Sequence, residues 1–166
     1  KIEKPIIAGI NGVAAGAGAN IAFACDITIA TESASFIQAF SKIGLIPDSG
    51  GTYTLPRLIG MAKASALMMT GEKVSAADAE RMGMIYKYVA DADFEAEVEK
   101  MATYISNMPT KGLGLTKRAL NLGQHNDLTS QLALEDKLQT EAGKSYDYNE
   151  GVQAFLDKRK PEFKGE

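Results

Sequence analysis

Apolar positions change their spacing along the chain, and the change separates a strand-rich start from a helical remainder. Pro5 to Ile10 is a short apolar, β-branched run that reads as a buried strand. The Asn11-Gly12 pair signals a tight turn, and a glycine- and alanine-rich stretch then leads into a helix over Ala17 to Cys25. Ile27 to Ala30 predicts a second buried strand and Ser35 to Ile37 a short one, before a loop from Gly44 to Gly51 punctuated by Pro47 and the Gly50-Gly51 pair. Beyond it the period becomes helical. Ala62 to Thr70 is one helix, stopped by Gly71, and Ser75 starts another as N-cap with Asp78 three residues on. Ile85 to Val89 predicts a strand. Four helices follow, over Phe94–Met108, Thr110–Leu122, Leu128–Ala142 and Tyr148–Lys158. In the last, Asp147 and Glu150 resemble a capping pair, and Val152, Phe155 and Leu156 form an apolar stripe. Strand-helix units first and helices afterwards predict an α/β or α+β fold with a helical C-terminal part.

Composition narrows the functional classes. The 166 residues are 45% hydrophobic and 23% charged, enough to bury one core. No charged residue falls between Pro5 and Cys25, but four glycines and the turn signal inside that run favour strand, turn and helix over a membrane span. It also lacks the layout of a signal peptide. Eighteen basic against 21 acidic residues leave no electrostatic footprint for nucleic acid or an anionic membrane. The one basic cluster, Lys158-Arg159-Lys160, reads as a solvated face. A single cysteine, Cys25, cannot form an internal disulfide and points to a reducing, cytoplasmic setting.

Two segments could carry chemistry. In Gly16-Ala17-Gly18-Ala19-Asn20, small residues ahead of a helix let a ligand approach backbone N–H groups at the positive dipole end. Such a turn can bind a phosphate, act as an oxyanion hole, or simply permit close helix–strand packing. A dinucleotide fingerprint is disfavoured, because Ile21 stands where its third glycine belongs. In Gly44–Gly51, Asp48 sits among apolar residues, ahead of a glycine pair that opens a helix. It can be a general base raised in pKa by an apolar pocket, or an N-cap or Asx-turn aspartate. His125 reads as an exposed loop residue and Cys25 as a small core residue. Met68, Met69, Met82 and Met84 read as core filling. One histidine and one cysteine in no paired spacing make no zinc or iron–sulfur site, and no serine stands in a nucleophile elbow.

Three segments together resemble the crotonase, or enoyl-CoA hydratase/isomerase, superfamily: KPIIAGINGVAAGAGANIAFACDITIA (4–30), GLIPDSGGTYTLPRLIG (44–60) and TGEKVSAADAERMGMIYKYV (70–89). The terminal EGVQAFLDKRKPEF (150–163) is similar to that family's ending. Within it the likeness is to the isomerases of bacterial phenylacetate degradation, which act on ring-epoxidised phenylacetyl-CoA. The resemblance implies a ββα spiral core over residues 1–92 and a helical oligomerisation and CoA-covering region over 93–166. It also implies that the chain is the C-terminal two-thirds of a longer protein whose N-terminal part is absent. The expected assembly is a homotrimer or hexamer, and the expected ligand is an acyl-CoA, with CoA part of the substrate and no separate cofactor.

Site residues carry over by position. Ala17 matches the backbone donor of half an oxyanion hole, and Gly18 adjoins it. Phe155 and Lys158 match contacts to the CoA nucleotide, often across a subunit boundary. The two hydratase glutamates fall on Asn20 and Phe40, which would shape an uncharged acyl pocket and cannot transfer a proton, so water addition is disfavoured. Asp48 matches the carboxylate of dienoyl-CoA and phenylacetate-pathway isomerases. The implied activity is an acyl-CoA isomerisation with Asp48 as the one acid/base: a double-bond shift, or ring epoxide to oxepin. The alternatives are a dehalogenase or hydrolase using Asp48 as nucleophile, and a non-catalytic binding module.

Overall fold

The opening β-branched run forms β1 (Ile7–Ile10), and a second strand, β2 (Val13–Ala15), follows directly after the turn at Gly12. The computed structural model describes residues 2–166, which divide into two units: Ile6–Lys100, and Met101–Glu166 with residues 2–5.

The first unit is built from ββα modules that give one strand to each of two small sheets. After β1 and β2 come α1 (Ala17–Phe23), then β3 (Ile27–Thr31) and β4 (Ser35–Ile37). A 3-10 turn (Ala39–Ile43) and helices α2 (Gly51–Ile59) and α3 (Met61–Thr70) follow. The unit continues through β5 (Lys73–Ser75), α4 (Ala76–Met82) and β6 (Lys87–Val89). One sheet has the order β1-β3-β6, all parallel, with Ile7 opposite Ile27 and Ile29 opposite Lys87. In the other, β2-β4-β5, Ala14 lies opposite Phe36 in parallel and Phe36 opposite Val74 in antiparallel register. Parallel neighbours need a crossover, and the apolar face of α1 supplies it.

The core of this unit gathers Phe23, Phe36, Leu55, Leu67, Val74, Ala79 and Ile85, with the Phe23 and Phe36 rings 5.5 Å apart and tilted by 33°. Met84 belongs to that core and Met68 and Met82 pack on it, but Met69 is 77% exposed rather than core filling. Cys25 is half-buried, its thiol donating to the Ile21 carbonyl. Ser75 caps α4 as expected, its hydroxyl accepting from the Asp78 N–H.

Helix α5 (Phe94–Ser106) leads into the second unit, which holds α6 (Thr110–Gly123), α7 (Leu128–Ala142) and α8 (Tyr146–Leu156). Helices α6 and α7 pack on each other, burying Leu115 and Leu138. The start of α8 departs from expectation: Ser145 is the cap, and Asp147 and Glu150 are not a capping pair. The buried Asp147 carboxylate accepts from the Lys164 and Gly165 N–H groups instead, and Glu150 from the Arg159 guanidinium and the Glu162 N–H. Both carboxylates therefore hold the C-terminal tail along α8. The stripe of Val152, Phe155 and Leu156 is exposed, while Ala154 faces inward. Among the described residues no helix is long and apolar enough to cross a membrane.

Candidate active site

Gly16 starts the site. Its φ of 55° and ψ of −124° lie where a side chain is strained, and a Cβ would rest 3.5 Å from the Phe40 ring. The Gly16 N–H donates to the Ile37 carbonyl at 2.8 Å, tying the turn to β4, and Phe40 is buried. No side chain caps α1. Its first backbone bond runs from Asn20 N–H to the Gly16 carbonyl, so the N–H groups of Ala17 and Gly18 open the helix without an intrahelical acceptor. Ala17 is half-buried and Gly18 exposed.

Asp48 stands on a loop that is bonded to α1 through Asn20 and has an unusual backbone. Ser49 (φ 50°) and Gly50 (φ 76°) are both left-handed, a combination that swings the chain into α2 at Gly51. The Asp48 carbonyl accepts two hydrogen bonds, from the Gly51 N–H at 2.8 Å and from Asn20 Nδ2 at 2.9 Å. Ser49 Oγ donates to its carboxylate at 3.0 Å. The loop is also tied to the 3-10 turn by the Leu45 N–H, which donates to the Phe40 carbonyl.

Two expectations change here. Asp48 is exposed, with Leu45 (59%) and Ile46 (82%) exposed next to it, so the described residues give it an apolar rim and no enclosed pocket. Asn20 does not line an acyl pocket: it is fully buried, and both ends of its amide are used inside the protein. Its Oδ1 accepts from Gln38 Nε2 at 2.8 Å, and Gln38 is itself 3% exposed. Sequence reasoning missed Gln38, although a lone amide amid Phe36, Ile37, Ala39 and Phe40 was a signal for a satisfied buried polar group.

Phe155 and Lys158 lie in the helical unit. Phe155 is 82% exposed, and Lys158 is exposed with a φ of 54°. His125 is exposed. Among the described residues no cluster of three or more His, Cys, Asp or Glu could hold a metal ion. The arrangement thus offers open main-chain amides at one helix start and a carboxylate on the loop bonded to that helix, a pairing suited to proton transfer next to a carbonyl.

The profile of the enoyl-CoA hydratase/isomerase family matches residues 1–166. The chain belongs to that family. It is 50% identical over 165 residues to the 1,2-epoxyphenylacetyl-CoA isomerase of Escherichia coli, covering 99% of this chain and 63% of that protein. It is also 50% identical over 161 residues to a "Probable enoyl-CoA hydratase" of Rhodobacter capsulatus, covering 97% and 63%. The crystal structure of an enoyl-CoA hydratase from Bacillus anthracis superposes with a TM-score of 0.96 at 37% identity, over all of this chain and 64% of that one. The chain therefore has the crotonase fold of the hydratase/isomerase family and spans less than two-thirds of the length of these relatives.

Proposed function

We propose that the complete protein is an acyl-CoA isomerase in which Asp48 is the single acid/base and the Ala17 N–H is one donor to the thioester oxygen. The observation that carries this reading is the hydrogen bond from Asn20 to the Asp48 carbonyl, which couples the carboxylate's loop to the helix with uncapped first-turn amides. When a proton leaves the carbon beside the thioester, charge grows on the carbonyl oxygen. Each main-chain donor there is worth about 2.7–4 kcal/mol in the transition state. Asp48 takes that proton and returns it to another carbon, so nothing is gained or lost overall. A double-bond shift meets this balance directly; with a ring epoxide the carbon–carbon bond shared by epoxide and six-membered ring also breaks as the double bonds rearrange to the seven-membered oxepin, again with no atom gained or lost.

Asn20 and Phe40 stand where the family resemblance puts the hydratase glutamates, and neither activates a water. The likeness to the E. coli isomerase supports the same choice. The equal likeness to the R. capsulatus protein makes water addition the second reading. Leu45 and Ile46, exposed next to Asp48, offer an apolar rim to the acyl group. Phe155 and Lys158 contact the CoA nucleotide in a trimer or hexamer. Incubation of the complete protein with an enoyl-CoA and with ring-epoxidised phenylacetyl-CoA, followed by mass spectrometry, tests the reaction class. A product of unchanged mass but altered chromatographic retention is expected; substrate left unaltered overturns the reading, and a product heavier by one water overturns it in favour of a hydratase.

A further inference from the structure

The buried amides behind Asp48 have a fixed direction. The Asp48 main-chain oxygen can only accept, so Asn20 must turn Nδ2 toward it, at 2.9 Å. Oδ1 then faces Gln38, which must answer with Nε2, at 2.8 Å. Gln38 Oε1 is left buried without a partner, so the chain of bonds ends there. Flipping either amide would set two acceptors against each other. Gly51 closes the remaining side, since a Cβ at that position would lie 2.2 Å from Nδ2. An asparagine that is fully buried, oriented at both ends and walled in by backbone is not shaped to greet a ligand.

Building on the reading of Asp48 as the acid/base, we infer that Asn20, seated on Gln38, is a positioning residue that sets the Asp48 carboxylate against the acyl carbon. Its amide and the Gly51 N–H together fix the Asp48 peptide. From that fixed carbonyl the Cα and side chain take their direction, and the exposed carboxylate is held further by the hydrogen bond from Ser49 Oγ at 3.0 Å. Small errors of placement are expensive in proton transfer: about 1 Å can cost on the order of 10²-fold in rate.

The test is Asn20→Asp in the complete protein. This change keeps the shape and the acceptor for Gln38, and replaces only the donor that faces the Asp48 carbonyl. At alkaline pH, where the new carboxyl is ionised and the donor is lost, the expected result is a kcat lower by roughly 10²-fold with KM for the acyl-CoA nearly unchanged. Burial disfavours the charged form of the new carboxyl, and its protonation on acidification restores a donor. The deficit in kcat relative to wild type should therefore shrink as pH falls. Folded Asn20→Asp with wild-type kcat at every pH, alkaline pH included, overturns the inference, as does a raised KM at unchanged kcat, which would make Asn20 a wall of the binding site. Should Asn20→Asp fail to fold, Gln38→Leu removes only the far anchor. It should lower kcat about tenfold with KM held, and wild-type kcat there overturns the inference equally. Asp48→Asn assayed in parallel separates the two claims. If Asp48→Asn is crippled and Asn20→Asp is not, positioning alone has failed; if Asp48→Asn is fully active, the acid/base reading itself has failed.

Discussion

Gly51→Ala should unsettle the protein well beyond what one methyl group suggests. Its Cβ would stand 2.2 Å from Asn20 Nδ2, 2.4 Å from Cγ and 2.6 Å from Oδ1, against an ordinary contact of about 3.5–4.0 Å. One partner must move by more than about 1 Å. The Asn20 amide is fully buried and bonded at both ends, so it cannot swing aside without giving up Asp48 and Gln38. Overpacking costs about 1–3 kcal/mol, and a buried amide stripped of its partner about 1–3 kcal/mol more. The sum of roughly 2–6 kcal/mol is a large part of the ~5–15 kcal/mol that holds a typical domain folded. Urea unfolding of the complete protein measures it. Gly112→Ala is the control, because a Cβ there meets nothing within 4 Å and should be neutral or stabilising by up to about 1 kcal/mol. A Gly51→Ala protein within about 0.5 kcal/mol of wild type would refute this picture of the amide as clamped.

Ser75→Ala removes the hydroxyl that caps α4 and should cost about 1 kcal/mol, read as a lower urea midpoint. Asp147→Ala leaves the Lys164 and Gly165 N–H groups without their acceptor, so trypsin should cut after Lys164 faster than in wild type. The Arg159 guanidinium, bound through both Nη atoms, and the Glu162 N–H hold the Glu150 carboxyl down to about 2 from its ordinary 4.5. A depressed folded-state value means that this contribution is complete above about pH 4.5 and is lost as pH falls toward about 2. Amide exchange at Glu162, corrected for intrinsic rates, should accelerate across that window in wild type and be fast throughout in Glu150→Gln.

Local pattern carried far where local forces decide. Helix α7 runs from Leu128 to Ala142 as its periodicity predicts, because Asp127 caps it and a glycine follows it. The Ser75 cap was legible for the same reason. Strand β2 was not: Val13-Ala14-Ala15 has weak strand propensity and exists through its pairing with β4, about twenty residues away. Asp147 looked like a helix cap because its true partners, Lys164 and Gly165, lie far along the chain. At the candidate site, sequence singled out Asp48 and the glycine-rich turn. It could not show that Asn20 and Gln38 bind behind them, since a pair of neutral amides 18 residues apart leaves no periodic trace. Nor could it show that Asp48 and its apolar neighbours stay exposed in this chain, because burial there depends on what else covers them.

The kcat of Asp48→Asn in the complete protein tests the central claim most directly, with isomerisation of an acyl-CoA followed by proton NMR. Asparagine keeps the size of the side chain and removes its ability to take up a proton, so kcat should fall by about 10²–10⁴-fold. Isomerisation at the wild-type rate would mean that another group moves the proton.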